Sequence, residues 1–375
     1  MSRGRTVVVL GAYGTIGREL VRVLVEKTEA DVIAGGRRQE RLDALTRELG
    51  PGRVRPRVLD AHDLPSVAAA AAEACLLINC VGPFLDGGAD VAQAAIEANA
   101  SYMDLASEQG HYERLKGLAP TARERNRLLF TGAGIFPGLS GVLAAQGASL
   151  LPAVDSVEIL FAQGRASDAE TGIGSFMTGI LEASHDSVSL REGRRTPLRF
   201  GQVRRRVMLP EPFGEVQMFE LPTLETLTLS EALGAQSVST WAYVGDIPGA
   251  LFTGVRLLKP DRRAWAYRFL RRVIRANMKR EFERALSRGI SAEAWMRTSV
   301  RGGGGRWQAT LRLPEGGAVP TAYLPAVAAR RFLEGRLDRS GLITATDAFP
   351  ADSLFREIHE LGWKLDLRTE TRSES

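Results

Sequence analysis

Three glycines near the N-terminus have the spacing of a loop that binds a phosphate-rich ligand. The segment Val9-Leu10-Gly11-Ala12-Tyr13-Gly14-Thr15-Ile16-Gly17 overlaps the end of the apolar run from Thr6 to Leu10, which is typical of a buried parallel strand. Glycines between a strand and a helix let the backbone approach a pyrophosphate, and the helix N-terminus offers free N–H groups. The sequence therefore predicts a dinucleotide-binding loop made by Gly11, Tyr13, Gly14, Thr15, Ile16 and Gly17.

The residues after the second apolar run indicate which dinucleotide this loop prefers. Asp31 to Gly35 predicts a second strand, and Gly36-Arg37-Arg38 follows it with no carboxylate before Glu40. An NAD site needs a carboxylate here to accept from the ribose 2′-hydroxyl. Two guanidinium groups can instead hold a 2′-phosphate through charge-assisted hydrogen bonds. We therefore expect NADP(H), with Arg37 and Arg38 at the phosphate; the alternative is that both begin a solvated helix.

Strands and helices alternate over the first 130 residues and position these groups. Further strands are predicted at 57–60, 76–80, 101–104 and 127–131, and helices at 15–26, 39–49, after Pro65, and at 91–98. Such alternation predicts an α/β fold with a doubly wound parallel sheet.

The pattern changes after about Ser149. Longer amphipathic strands such as Ser156 to Phe161, and a hairpin of residues 299–310 turned by Gly302 to Gly305, predict an α+β second domain with an antiparallel or mixed sheet. Two helices are expected at 321–333 and 351–361, before a frayed polar tail from Arg368.

Composition excludes several classes of function. The net charge of +5 comes mostly from arginines scattered along the chain, with no recognition motif, which argues against nucleic-acid binding. Cys75 and Cys80 form no CxxC pair and have no histidine cluster nearby, which argues against a disulfide framework and a zinc site. With no signal peptide and no apolar stretch of membrane-spanning length, we expect a cytoplasmic protein.

Four blocks of the sequence resemble the saccharopine dehydrogenase-like (saccharopine reductase-type) oxidoreductases. They are the Gly11 to Gly17 loop with Gly36-Arg37, Asn79-Cys80-Val81-Gly82-Pro83-Phe84, the stretch from Ala100 to Glu108, and Gly132-Ala133-Gly134-Ile135-Phe136-Pro137-Gly138-Leu139. The third is similar to the family's G-x-x-Y-x-D-[LV]-x-G-E stretch, with Ala100 and Ser107 in place of glycine. A weaker similarity lies at Thr171 to Ser175. The departures leave the family's substrates open for this chain.

The resemblance implies a Rossmann-type first domain, an inserted second domain, and C-terminal helices that return to the first. The expected boundaries are residues 1–135 for NADP binding, 136–318 for substrate and dimerisation, and 319–375 for the C-terminal helices. The residues implied beside the ribose and nicotinamide are Asn79, Val81, Gly82, Pro83 and Phe84. Asp60, at the end of the third predicted strand, completes the expected cofactor-binding set.

Reduction of a C=N or C=O bond needs a hydride from the nicotinamide and usually a proton source for the heteroatom. Tyr102 could donate to substrate and Asp104 could pair with a substrate ammonium; equally, Asp104 could cap the following segment while Tyr102 packs in the wall. His111 is the third catalytic candidate because histidine titrates near neutrality, although a surface position is favoured. His185 is a weaker candidate, and Asp168 with Glu170 is interpreted as a helix cap.

A basic helix from Arg262 to Leu286 carries aromatic residues. It is expected to pack in the interior or against a second subunit, with contact to an anionic membrane as the alternative. We expect a homodimer that binds a small-molecule substrate. The favoured function is NADPH-dependent imine reduction, or reductive C–N bond formation, on an amino-acid or polyamine-like substrate. Alternatives are an enoyl or carbonyl reductase for a larger apolar substrate and a non-catalytic NADP-binding sensor or scaffold.

Overall fold

The computed structural model describes residues 3–50, 52–164, 187–198, 201–243, 264–287 and 293–373. Two compact units divide the chain. Unit 1 comprises Met1–Ala106, His111–Leu139 and Val319–Trp363, and unit 2 comprises Ser107–Gly110, Ser140–Ala318 and Lys364–Ser375.

Unit 1 contains a seven-stranded sheet in the described part of the chain. Its strands are β1 (Thr6–Leu10), β2 (Asp31–Gly36), β3 (Val54–Val58), β4 (Leu76–Asn79), β5 (Ser101–Asp104), β6 (Leu128–Phe130) and β15 (Gly341–Ile343). They lie in the order β15-β6-β5-β4-β1-β2-β3, and every neighbouring pair is parallel. This confirms the predicted doubly wound parallel sheet. The strand order reverses between β1 and β4, and such a reversal opens a crevice at the carboxyl ends of the strands.

The described helices of unit 1 follow the strands along the chain. They are α1 (Thr15–Lys27), α2 (Gln39–Leu49), α3 (Leu64–Ala71), α4 (Gly88–Glu97), most of α5 (Gln109–Glu124), α9 (Tyr323–Leu333), α10 (Ala345–Ala348) and α11 (Ala351–Glu360). In α1, Leu20, Val21, Val23 and Leu24 are buried, so this face supplies the apolar stripe that an amphipathic helix packs against its sheet.

Several elements of unit 1 differ from the sequence predictions. The third strand lies at Val54–Val58 rather than 57–60, and its Arg55 and Pro56 are tolerated because β3 is an edge strand. Helix α5 and strand β15 were not predicted. The first is only weakly amphipathic in sequence, and the second has three residues, too few for a periodic signal.

Unit 2 contains a larger mixed sheet. Its described strands are β7 (Ser156–Ala162), β8 (Val188–Arg191), β9 (Arg194–Pro197), β10 (Arg204–Leu209), β11 (Gly214–Glu220), β12 (Ser237–Tyr243), β13 (Ala294–Gly302), β14 (Gly305–Leu313) and β16 (Asp366–Ser373). Seven of them follow the order β10-β11-β12-β7-β13-β14-β16, and β8 pairs with β12 and β9. Strands β7 and β12 are parallel and the other pairs are antiparallel, which confirms the predicted α+β second domain.

The described helices assigned mainly to unit 2 are α6 (Leu139–Ser149), α7 (Glu225–Leu233) and α8 (Ala264–Ser287). Helix α8 is the predicted basic helix. None of the described helices combines the length and apolarity needed to cross a membrane.

The two strands that pair with β14 test two sequence predictions. The predicted hairpin is confirmed, with Gly302 opposite Gly305 at the turn. The predicted frayed tail is wrong, because β16 pairs with β14 along its length, from Arg312 opposite Asp366 to Gly305 opposite Ser373. An unpaired β14 edge offers backbone donors and acceptors that a polar tail can satisfy as well as an apolar one. Residues 364–375 thus belong to unit 2, not to C-terminal helices on the first domain.

Close packing of α6 on the sheet generates a stability prediction. A methyl group on Gly147 would overlap the indole of Trp307, which is 1% exposed. We expect Gly147→Ala to lower the free energy of unfolding by about 1–3 kcal/mol, as overpacking does. The matched control is Gly117→Ala on α5, where nothing lies within 4 Å of the added methyl; it should stabilise by about 0.5–1 kcal/mol. Urea unfolding of both variants measures the difference, and equal midpoints would contradict the packing argument.

Candidate functional site

Backbone hydrogen bonds fix the predicted dinucleotide loop between β1 and α1. The amides of Gly11 and Ala12 both donate to the carbonyl of Gly35, at 2.9 and 3.0 Å, and the Gly14 amide donates to the Gly11 carbonyl at 3.0 Å. Gly11 has a φ of +85°, a conformation that side chains other than glycine rarely adopt. The loop is therefore a tight, internally bonded turn at the reversal point of the sheet.

Two further glycines bring backbone segments together. A methyl group on Gly17 would overlap the carbonyl oxygen of Gly11, and one on Gly36 would overlap the ring of Tyr13. The first contact packs α1 against the loop, and the second seats Tyr13 on the end of β2. The loop thus needs glycine for contact as well as for conformation.

The N-terminus of α1 has the properties of an anion site. Gly14 is its N-cap residue and contributes no side-chain hydrogen bond, and Gly14 and Thr15 are exposed. The first amides of a helix point along its axis and carry its positive dipole end, so they attract a pyrophosphate. Gly14, Thr15, Ile16 and Gly17 lie at this end of the helix, as the sequence analysis expects.

Arg37 and Arg38 lie directly after the carboxyl end of β2. Both are exposed, and among the described residues neither forms an ion pair. Arg41, which sequence reasoning missed, places its guanidinium 5.7 Å from the centre of the Tyr13 ring. Arg41 could have been predicted to lie near Arg37, because it is on the first turn of α2, about one helical turn later in the sequence. These cations form an unneutralised rim beside the glycine loop that fits a 2′-phosphate.

The segment after β4 contributes a second side of the site. The Asn79 side chain accepts from the Val81 amide at 2.9 Å and donates to the Tyr102 hydroxyl at 3.2 Å. Val81 is 37% exposed, whereas Phe84 is 7% exposed and packs against the His111 ring with centroids 5.6 Å apart. Val81, exposed Gly82 and half-buried Pro83 therefore form the accessible surface, with Phe84 behind them.

A buried carboxylate joins the ends of several elements near this segment. Asp104, at the end of β5, accepts hydrogen bonds from Thr131 Oγ1 at 2.7 Å and from the Ala106 and Gly132 amides at 3.0 and 3.4 Å. His111 Nε2 lies 2.6 Å from its other oxygen, and both side chains have no exposed surface. Burial alone would raise the pKa of Asp104, but the His111 charge and these hydrogen bonds outweigh it and hold the pKa below its usual value.

His111 does not occupy the surface position favoured from sequence. It lies in the first turn of α5, so the helix start favoured from sequence is correct, but its ring is fully buried. Its Nδ1 has no hydrogen-bond partner among the described residues, and a methyl group added to Gly88 would lie 3.2 Å from this atom. The carboxylate of Asp104 accounts for the burial, because an imidazole leaves water only when a partner satisfies it.

Tyr102 is buried behind the accessible surface formed by Val81, Gly82 and Pro83. Its hydroxyl accepts from Asn79 and donates to the Gly88 carbonyl at 3.4 Å, and the residue has no exposed surface. Burial first, and the Asp104 charge second, raise its pKa well above the usual value. The structure thus brings Tyr102, Asp104 and His111 into one neighbourhood, and none of the three is open to solvent.

Other candidates lie apart from this neighbourhood or outside the described residues. Asp60 is half-buried after β3 and accepts from the His62 amide at 3.1 Å. His185, Asp168, Glu170 and the Thr171 to Ser175 block lie outside the described residues. The described part of the chain holds no group of three or more potential ligands suited to a metal ion.

Comparisons with known proteins agree with this geometry. Residues 7–129 match the family model described as the saccharopine dehydrogenase NADP binding domain. Apo saccharopine dehydrogenase (L-Glu forming) from Saccharomyces cerevisiae has a similar fold, with a TM-score of 0.66 and 12% identity over 98% of this chain and 100% of that one. No curated protein matches the chain in sequence.

Two further solved structures are more distant. A dehydrogenase, MviM, from Clostridium difficile has a TM-score of 0.42 and 8% identity over 95% of this chain and 98% of that one. GenD2 from gentamicin A biosynthesis, in complex with NAD, has a TM-score of 0.45 and 14% identity over 95% and 92% of the two chains.

The parallel sheet, with its glycine loop at the reversal point and the matched N-terminal domain, makes the chain an NADP-binding oxidoreductase. The N-terminal domain matches the NADP binding domain of saccharopine dehydrogenase, and the fold of the whole chain is similar to that of the Saccharomyces cerevisiae enzyme. The predicted resemblance to saccharopine dehydrogenase-like oxidoreductases is thereby confirmed, and so is NADP as the cofactor.

The lowered pKa of Asp104 predicts a pH-dependent stability difference. A carboxyl whose pKa is lowered by folding stabilises the native state above the unfolded value of about 3.9, and this contribution is lost as the pH falls through the folded pKa. Asp104→Asn should cost about 3–5 kcal/mol at pH 7, as breaking a buried pair does. The gap from wild type should narrow below about pH 3.9.

Urea unfolding at pH 7 and at acidic pH measures this difference. The matched control is Asp90→Asn, which removes an exposed ion pair with Arg114 at 2.8 Å and should change stability by less than about 1 kcal/mol. A constant gap between wild type and Asp104→Asn at every pH would contradict the argument.

Proposed function

We propose that this protein is an NADPH-dependent reductase that adds hydride to a C=N bond, on an amino-acid or polyamine-like substrate. The observation that carries the proposal is the complete burial of Tyr102, Asp104 and His111, each with 0% exposed surface. Among the described residues at the carboxyl edge of β4 and β5, these are the groups best able to supply a proton, and all are enclosed.

The burial of these groups favours an imine over a carbonyl. A carbonyl becomes an alkoxide as hydride arrives, so its reduction calls for an acid in contact with the oxygen. An imine with a basic nitrogen can enter already protonated and then becomes a neutral amine on accepting hydride, with no further proton needed. A site that binds and orients such a cation can work without an exposed acid.

The residues of unit 1 take distinct roles in this proposal. The amides from Gly14 to Gly17 hold the pyrophosphate, Arg37 and Arg38 hold the 2′-phosphate, and Val81, Gly82 and Pro83 lie beside the nicotinamide. NADPH supplies the hydride. Asp104 and His111 act as positioning residues: their contact fixes the end of β5, and His111 in turn supports Phe84 behind the Val81 segment.

The 2′-phosphate role generates a cofactor prediction. Arg37→Gln combined with Arg38→Gln should weaken NADPH binding by about 100-fold or more, since hydrogen bonds to charged groups contribute about 1.5–3 kcal/mol each. NADH binding should change little, because NADH lacks the phosphate. Fluorescence titration measures both constants. Arg47→Gln at the far end of α2, whose side chain is exposed, is the control for net charge; equal losses for NADPH and NADH would contradict the role.

A second candidate function is reduction of an enoyl or carbonyl group in a larger apolar substrate. Helix α8 favours it, because Trp265, Phe269 and Val273 are 54%, 54% and 41% exposed on one stripe. A separate stripe of Ala266, Leu270 and Ile274 is buried. Exposed aromatic residues beside arginines suit an apolar or anionic lipid surface, or a second copy of the chain in the proposed homodimer.

A substrate screen separates the two candidates and tests the proposal. NADPH oxidation is followed with 2-oxo acids plus amines, and separately with enoyl thioesters presented in anionic vesicles. We expect turnover with the first set, and a rate that follows the concentration of protonated imine rather than an enzyme acid. Turnover confined to enoyl thioesters, and reduced by Phe269→Ser, would establish the second candidate instead. NADPH binding without turnover of any substrate would indicate a sensor or scaffold.

A further inference from the structure

Part of one face of the unit 2 sheet, across β7, β13, β14 and β16, is polar and rich in arginine. Since side chains alternate along strands, residues in register on neighbouring strands share a face. A row across β7, β13, β14 and β16 consists of Glu158, Ser299, Gln308 and Glu370, and the row on one side of it contains Arg301, Arg306 and Arg372. Arg297 lies two residues from Ser299, on the other side. The opposite face carries Val300, Trp307 and Ala309, which are buried apolar residues.

A cavity of about 280 Å³ lies on this polar face. Its lining residues are Arg297, Arg306, Gln308, Glu370 and Arg372. Arg297 and Arg306 are half-buried, and Glu370 and Arg372 are exposed. The cavity therefore has a sheltered cationic side and a rim open to solvent.

Carboxylates in the described part of the chain do not match the positive charge in the cavity. Glu158 pairs with Arg205 at 2.7 Å, and Glu370 pairs with Arg372 at 3.0 Å. Arg306 donates to the neutral Gln308 side chain at 2.6 Å. Among the described residues, neither Arg297 nor Arg306 forms an ion pair, so two guanidinium charges are left over.

Buried donors in the same place also lack acceptors. The Nε atoms of Arg297 and Arg306 and the hydroxyl of Ser299, which is 4% exposed, have no hydrogen-bond partner among the described residues. Burial lowers the pKa of Arg297; Glu158 opposes this effect, while Arg306 and Arg205 add to it by repulsion. Leaving a charge and three donors unmatched is costly unless a ligand supplies acceptors.

We propose that this cavity binds a small oxyanion, a phosphate or a carboxylate group, with Arg297 and Arg306 as its principal ligands. The planar guanidinium fork presents paired N–H groups to two oxygens at once, and Ser299 offers a further donor on the same strand. The site is distinct in its residues from the NADP loop, so an anion bound there acts as a separate ligand of the enzyme.

Binding of defined anions to the full-length protein tests the proposal. Calorimetry and thermal unfolding are measured with inorganic phosphate and, separately, with malonate, against potassium chloride at equal ionic strength. Saturating NADP occupies the Arg37 and Arg38 region throughout, so that added phosphate does not bind there. We expect one of the two anions to bind wild type at least tenfold more tightly than it binds Arg297→Gln, and the tighter one identifies the group.

Two controls distinguish a ligand site from a structural role. Arg206→Gln removes an exposed charge from β10, at the opposite edge of the same sheet, where the side chain is 74% exposed, and should leave anion binding unchanged. In chloride alone, Arg297→Gln should melt at or above the wild-type temperature, because it removes an unneutralised, half-buried charge. NADPH affinity should be the same in all three proteins.

Several outcomes would overturn the proposal. One is that neither anion stabilises wild type beyond chloride, and another is that Arg297→Gln retains wild-type anion affinity. A third is that Arg297→Gln melts well below wild type in chloride, which would make the arginine a structural element. If light scattering instead shows that Arg297→Gln changes the oligomeric state, the face binds a second copy of the chain rather than a small anion.

Discussion

Each oxygen of a buried carboxylate needs hydrogen-bond donors, and the donors to Asp104 come from several elements of unit 1. Its acceptors are filled by Thr131 after β6, by two backbone amides and by His111 from α5. The carboxyl ends of β5 and β6 and the first turns of α5 are thereby held at one point. The His111 ring packs against Phe84, and Phe84 in turn supports the segment that follows β4. The accessible surface formed by Val81, Gly82 and Pro83 thus depends on a buried residue that is not part of it.

The glycine loop, on the other side of the site, depends on close packing of backbone segments rather than on charge. Gly11, Gly17 and Gly36 let loop, helix and strand meet at distances that a methyl group would prevent. The result is a helix end with no capping side chain and a rim of free guanidinium groups. Both features suit an anionic ligand. In the proposed cofactor site, backbone geometry recognises the pyrophosphate, and Arg37 and Arg38 add selectivity for the 2′-phosphate.

The elements that could be predicted from the sequence are those whose signals are local. The glycine loop, the Arg37-Arg38 pair and the hairpin at Gly302 to Gly305 each carry their information within a few residues, and the parallel sheet follows from alternation. Features that depend on partners distant in the sequence could not be predicted in this way. The burial of His111 requires Asp104, and the strand at Asp366–Ser373 requires a free edge on β14. The arginine cavity was not predicted because it combines residues of the β13–β14 hairpin with residues of β16, which lies much later in the chain.

The division of the chain has a consequence for how the protein is made. Unit 1 is interrupted by unit 2, and unit 2 in turn ends with β16, which lies beyond the last helix of unit 1. On the ribosome, β14 emerges with an unpaired edge and keeps it until β16 has left the exit tunnel. Such edges recruit other chains during synthesis. The polar, charged composition of β14 and β16 on their outer face then serves as protection for a nascent chain, well before it serves the finished enzyme.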